Sequence, residues 1–218
     1  MRLLKELFEN NRAWAEGVEQ RSPGFFAHLA QQQVPEYFWI GCADSRVPAN
    51  EIVGLMPGEI FVHRNIANVV NPFDPNCLAC LEYAVGVLSV KHVMVVGHYG
   101  CGGVRAVIEG HYRGKVGEWL APLRAVNQKY AARLGADEQR QWDTLCELNV
   151  IEQAAAVWES VIVREAWAHG QELAVHGWIY AVADGLLRDL EVTVASSAEA
   201  DGVRRAAVER VLAKSARV

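Results

Sequence analysis

The sequence predicts an α/β protein: a mostly parallel central sheet with an antiparallel edge strand, helices on both faces and a long N-terminal helix. Three observations carry that expectation. Short β-branched and aromatic runs alternate with helical periodicity, the rhythm that builds parallel strands covered on both faces. The region from Glu118 to about His169 shows no strand signal and reads as a helical layer. Beyond it, two strand-like runs are separated by only Ala183-Asp184-Gly185, so they pair as a hairpin and leave an antiparallel strand at the edge. A chain of 218 residues, 51% hydrophobic and 22% charged, buries a full core, and nothing marks a hinge, so one domain over residues 1–218 is expected.

In chain order, Leu3, Leu4, Leu7, Phe8, Trp14 and Val18 recur at helical spacing, giving an amphipathic helix with an aromatic face over the first twenty residues. Phe25, Phe26 and Leu29 mark a second. Tyr37-Phe38-Trp39-Ile40-Gly41, after Pro35, fits a buried strand, and Glu59 to Arg64 fits another, introduced by the turn residues Pro57-Gly58. Asp74-Pro75-Asn76 starts a helix over about 76–90 through Leu78, Leu81, Val85 and Leu88. His92 to Gly97 is the third strand. Leu120, Leu123, Val126, Tyr130 and Leu134 mark a helix, and Asn149-Val150-Ile151-Glu152 reads as a helix cap whose glutamate reaches back. Glu172 to Tyr180 and Leu186 to Val194 are the hairpin strands, and a polar helix over about 199–213 follows.

Composition narrows the function classes. A formal net charge of -5 without any Lys/Arg-rich run argues against a nucleic-acid partner. No run approaches the ~18 apolar residues of a membrane span, so no membrane is expected and the location is taken as cytoplasmic. Five cysteines in such a chain read as metal ligands or buried small hydrophobes rather than a disulfide framework.

The chemistry concentrates at strand ends. In an open parallel sheet, ligands collect beyond the carboxyl ends of the strands, near a topological switch point. Cys42 lies just past strand one, and His98 and Cys101 just past strand three, so adjacent strands would bring two thiolates and an imidazole to one crevice, a zinc set with a fourth position open. Asp44 can fill that position or hydrogen-bond whatever does, and Arg46 offers its carboxylate a bidentate fork. Zinc with two thiolates is neutral, a third anion would leave the site negative, and an arginine offsets it. Gly100, Gly102 and Gly103 allow a tight turn and expose backbone N–H groups at a helix start.

The blocks Cys42-Ala43-Asp44-Ser45-Arg46, His63-Arg64-Asn65-Ile66-Ala67-Asn68 and Gly97-His98-Tyr99-Gly100-Cys101-Gly102-Gly103 resemble, in order and separation, the three signature blocks of the β-class carbonic anhydrases. The similarity extends from about residue 1 to Val194 and includes Asp143 to Val150. It implies one zinc ion per chain on Cys42, His98 and Cys101, with Asp44 as fourth ligand in a closed state and water in its place when Arg46 draws Asp44 away. The implied activity is reversible hydration of carbon dioxide to bicarbonate and a proton, rising toward alkaline pH because thiolates donate more charge than imidazoles. The resemblance also implies a substrate slot among Phe61, Ile66 and Tyr83, with Gln33 and the Gly102-Gly103 backbone for the product oxygens, at the interface of a homodimer or a dimer of dimers. Trp39, Arg64 and Tyr180 match the trio that lines a non-catalytic bicarbonate pocket in a bacterial subgroup (type II), which implies bicarbonate-linked inhibition through Asp44 ligation.

Other readings stand beside these. Trp39 and Tyr180 fall on apolar strands where core residues are the rule. Cys77-Leu78-Ala79-Cys80 with His98 and Cys101 spells a Cys₃His structural zinc site, although both cysteines sit on an apolar helical face. Cys146 reads as a buried structural thiol. The alternatives in function are a non-catalytic zinc and bicarbonate-binding module, or a hydrolase of a related small molecule such as carbon disulfide.

Overall fold

The computed structural model describes residues 3–215. It divides into two compact units between Val34 and Pro35. The first holds helices α1 (Lys5–Arg21) and α2 (Phe25–Leu29), joined edge to face by Trp14 and Phe26 with ring centroids 5.5 Å apart. Met1 and Arg2 of the expected first helix lie outside the described residues.

The second unit carries the sheet. Its strands are β1 (Tyr37–Cys42), β2 (Ile60–Asn65), β3 (His92–His98), β4 (Ala174–Ala181) and β5 (Leu186–Val194), in spatial order β2-β1-β3-β4-β5. The first three ladders are parallel, and β4 with β5 is antiparallel, so the mostly parallel sheet with an antiparallel edge is as expected. Strand order reverses between β1 and β3, which makes their carboxyl ends the switch point. The period-two alternation of strands divides the core. Phe38, Ile40, Val93 and Val95 enter the large cluster that continues into the helical layer, whereas Trp39, Met94 and Val96 join Val47, Ala49, Ile60 and Tyr180 in a smaller one.

Between the strands run α3 (Ala49–Val53), α4 (Pro75–Glu82), α5 (Gly102–Glu109), α6 (Gly114–Trp119), α7 (Ala121–Tyr130), α8 (Glu138–Glu159) and α9 (Val161–Ala168), with α10 (Ala200–Ser215) after β5. Asp74 caps α4 by accepting from the Asn76 and Cys77 amides at 3.1 and 3.3 Å, with Pro75 opening the helix where its missing N–H costs nothing. The helix expected over 76–90 changes character part-way: Tyr83–Val87 is a π-helical turn, closed by Leu88 N–H donating to the Tyr83 carbonyl at 2.9 Å.

The cap read at Asn149-Val150-Ile151-Glu152 is corrected. Helix α8 runs unbroken from Glu138 to Glu159 and takes its cap from Asp137, which accepts from the Arg140 amide at 2.8 Å. Asn149 is mid-helix and buried, its amide donating to the Ala67 carbonyl at 2.9 Å, and Glu152 accepts from Tyr130, Lys129 and Arg204. Those distant partners claim both side chains.

Candidate metal centre

Cys42 closes β1 and His98 closes β3, one residue further along each strand than the sequence predicts, and Cys101 sits in the turn before α5. Their ligand atoms lie within 4.8 Å of one another, and among the described residues this is the one group of three or more His, Cys, Asp or Glu side chains able to hold an ion. The two sulfurs are 4.0 Å apart. His98 is oriented by its neighbour: Nδ1 lies 2.9 Å from the Tyr99 carbonyl, which can only accept, so Nδ1 carries the proton. The other ring nitrogen, Nε2, is then a bare lone pair, buried and without a hydrogen-bond partner. An orphaned acceptor beside two thiols costs free energy as it stands and fits a soft, tetrahedral cation.

The thiols say the same. Contact with Cys101 stabilises the Cys42 thiolate most; burial opposes this and His98 adds to it, leaving Cys42 well below an ordinary thiol. Cys101 is held well above its usual value by that same contact with Cys42 and by burial. One negative charge is welcome there and a second is penalised, a penalty that a divalent cation removes.

Asp44 and Arg46 stand at the rim. Arg46 donates from its backbone N–H and Nε to Asp44 Oδ1, both at 2.9 Å, and from Nη2 to Oδ2 at 2.7 Å. Hydrogen bonding from Arg46 is the main cause that holds the Asp44 carboxyl far below the usual carboxylate range, with burial opposing. Asp44 Oδ2 is 3.8 Å from His98 Nε2, so the carboxylate is within reach of the cluster while paired with arginine.

The remaining candidates form smaller groups. Phe61 and Tyr83 pack with ring centroids 5.9 Å apart. Ile66 lies against Gly103, where an added Cβ would meet Ile66 Cγ2 and Ala67 Cβ at 3.1 Å. Gly102 and Gly103 open α5, and Gln33 is an exposed residue of the first unit. Trp39 and Tyr180 share the smaller apolar cluster. Arg64 is opposite Gly41 in the β1–β2 register, and its guanidinium donates to the Cys42 carbonyl at 2.9 Å and the Asp44 carbonyl at 2.5 Å. Cys77 is buried and Cys80 partly buried on α4, and neither is in the ligand group of Cys42, His98 and Cys101.

A sequence model of the family described as carbonic anhydrase matches residues 37–187. A carbonic anhydrase of Emericella nidulans is 46% identical over 189 residues, covering 86% of this chain and 83% of the fungal protein. The β-carbonic anhydrase of Coccomyxa, solved in complex with acetazolamide, superposes with a TM-score of 0.90 at 38% identity, each chain covered in full. The chain belongs to the β-class carbonic anhydrases. A structure of tetrameric β-carbonic anhydrases from Sordaria macrospora also matches, with a TM-score of 0.82 and 39% identity over 87% of this chain and 98% of that one.

In this carbonic anhydrase, α8 supplies site residues that sequence reasoning missed. Trp142 Nε1 donates to the Cys101 carbonyl at 3.0 Å, and Glu147 accepts from the Tyr99 hydroxyl. Asn149 holds the Ala67 carbonyl while accepting from Gln153 Nε2 at 3.0 Å, and Gln153 Oε1 accepts from the Val70 amide at 2.7 Å. A signal existed: two amides at i and i+4, Asn149 and Gln153, lie among apolar neighbours on one helix face and need buried partners.

Proposed function

We propose that this carbonic anhydrase hydrates carbon dioxide reversibly to bicarbonate and a proton with one zinc ion per chain, held by Cys42, His98 and Cys101. The observation that carries the reading is the bare, buried His98 Nε2 facing two thiols. Bound there, zinc supplies the Lewis acidity that makes water a nucleophile near neutral pH. Asp44, with both oxygens fixed by Arg46, accepts a hydrogen bond from the incoming water and orients it. Phe61, Tyr83 and Ile66 offer a small apolar molecule its slot, and the first N–H groups of α5, at Gly102 and Gly103, suit the product oxygens.

The pairing of Asp44 with Arg46 is the open arrangement. Released by Arg46, Asp44 would be free to serve as a further ligand and so close the site. A bicarbonate pocket at Trp39, Arg64 and Tyr180, as in the type II subgroup, would drive that closure. Two observations support it: Trp39 Nε1 is a buried donor without a partner, and Arg64 grips the Cys42 and Asp44 carbonyls, so an anion that draws on Arg64 also loosens Asp44. Tyr180→Phe and Trp39→Phe should weaken bicarbonate inhibition while leaving low-bicarbonate turnover intact; inhibition unchanged in both removes the pocket from the account.

The working form is a homo-oligomer, a dimer or a dimer of dimers, supported by the exposed Leu3, Leu4, Leu7 and Trp14 of the N-terminal unit and by the tetrameric Sordaria relatives. No helix among the described residues is long and apolar enough to cross a membrane, and the five free thiols suit a reducing compartment such as the cytoplasm.

Stopped-flow carbon dioxide hydration, with zinc content measured alongside, tests the reading. The wild type should carry one zinc per chain and turn over, and Arg46→Ala should keep its zinc and lose about a hundredfold in kcat as Asp44 loses its fixed geometry. Full activity in Arg46→Ala, or none in the zinc-loaded wild type, contradicts it.

A further inference from the structure

Tyr99 stands between two of the three metal-ligating side chains and is tied down at three points. Its N–H donates to the Tyr180 carbonyl at the end of β4 at 3.0 Å. Its carbonyl accepts from His98 Nδ1 at 2.9 Å, the bond that sets the His98 tautomer and aims Nε2 at the cluster. Its hydroxyl reaches across to α8 and donates to Glu147. The first two ties belong to strand pairing and to the histidine; the third is a side-chain contact between residues 48 apart, and nothing in the sheet requires it.

From this geometry we infer that Glu147 is a positioning residue for the hydration reaction: by holding the Tyr99 ring it fixes the Tyr99 carbonyl, and through that carbonyl the His98 imidazole. The inference rests on the zinc reading above and adds to it the group that sets how firmly the metal is held. Helix α8 is suited to the task. It is 22 residues long, and Leu145, Leu148, Val150 and Ile151 are fully buried, so Glu147 projects from a fixed platform rather than a mobile loop. Trp142, one turn earlier on the same helix, anchors the other end of the segment through the Cys101 carbonyl. The turn from His98 to Cys101 is thus braced from behind at two points. Without the Glu147 brace, the Tyr99 hydroxyl loses its anchor on α8, and the carbonyl that holds His98 Nδ1 is fixed less firmly.

The test is the rate at which zinc-loaded enzyme gives up its metal to a chromogenic chelator, measured with kcat, KM and the unfolding midpoint for wild type, Tyr99→Phe, Glu147→Leu and Glu147→Gln. Tyr99→Phe removes only the hydroxyl, and Glu147→Gln keeps an acceptor oxygen of the same reach. Orienting partners of this kind are worth roughly ten- to a hundredfold in metal affinity or activity. The expected result is zinc release about tenfold faster in Tyr99→Phe and Glu147→Leu, with a fall in kcat at unchanged KM, and near wild-type behaviour in Glu147→Gln. Should Glu147→Leu fail to fold, Tyr99→Phe carries the test alone. Wild-type zinc release in Tyr99→Phe overturns the inference and leaves the zinc reading intact, as does a Glu147→Gln variant as impaired as Glu147→Leu. A wild type that binds no zinc overturns both.

Discussion

Replacing Gly97 with alanine should push α8 off the sheet. Val150 of α8 is seated in a hollow made by two glycines on neighbouring strands: a Cβ at Gly97 would fall 2.4 Å from Val150 Cγ2, and one at Gly177 would fall 3.3 Å from Val150 Cγ1. At Gly97 the clash is 1 Å inside the 3.4 Å at which ordinary contact begins. Valine on a helix has one strongly favoured rotamer and cannot swing clear, so the helix must move. Overpacking of this kind costs about 1–3 kcal/mol. Val150→Ala alone removes two buried methyl groups and should cost about 2 kcal/mol from transfer and cavity together. In that background the clash is gone, so Gly97→Ala should add less than ~1 kcal/mol, a coupling typical of residues in contact. The four proteins can be compared by guanidinium unfolding at one protein concentration with zinc saturated, reading midpoints at constant slope. An equal Gly97→Ala penalty in both backgrounds would refute the reasoning.

Two further outcomes follow from the same layer. Burial raises the Glu152 carboxyl, and Arg204, Tyr130 and Lys129 together lower it further, leaving it below its ordinary 4.5. A folded value below the unfolded one stabilises above the unfolded value and is lost as pH falls through the folded one. Wild type should therefore exceed Glu152→Gln by about 1.5–3 kcal/mol at neutral pH, and the gap should close below roughly pH 4.5; a gap that does not change with pH contradicts this. Asn149→Ala strips the Ala67 carbonyl and Gln153 of their partners at a backbone already in the left-handed region, φ 63° at Ala67. It should cost about 1–3 kcal/mol by the same unfolding measurement, and a cost under ~0.5 kcal/mol would show that the amide is dispensable.

How far the sequence was legible follows from where each residue spends its interactions. Strands β1 and β3 were legible because their apolar, β-branched runs report local burial directly, and only Cys42 and His98, polar residues at the ends of the ladders, fell outside the expected bounds. Helix α3 was not legible: five residues between Pro48 and Gly54 are too few to show a period. The spacing of Leu78, Leu81, Val85 and Leu88 is met equally well by an α-helix and by one with a π-helical turn, so the change at Tyr83 leaves no trace. Asn149 and Glu152 have the spacing of a capping pair, yet their partners lie 82 and 52 residues away at Ala67 and Arg204, and spacing cannot see them. The site divides in the same way. Cys42, His98, Cys101, Asp44 and Arg46 announce themselves because two thiols, an imidazole and an ion pair fall together at the carboxyl ends of adjacent strands. Trp142 and Glu147 become part of the site only when α8 is laid behind the His98–Cys101 turn.

On the proposed reading Cys42, not the Cys77 and Cys80 pair, completes the metal site with His98 and Cys101. Zinc content of wild type, Cys42→Ser and Cys80→Ser, purified in parallel and assayed for carbon dioxide hydration, tests it most directly. Wild type and Cys80→Ser should carry one zinc per chain and full activity, and Cys42→Ser should lose both. Zinc retained in Cys42→Ser and lost in Cys80→Ser would contradict it.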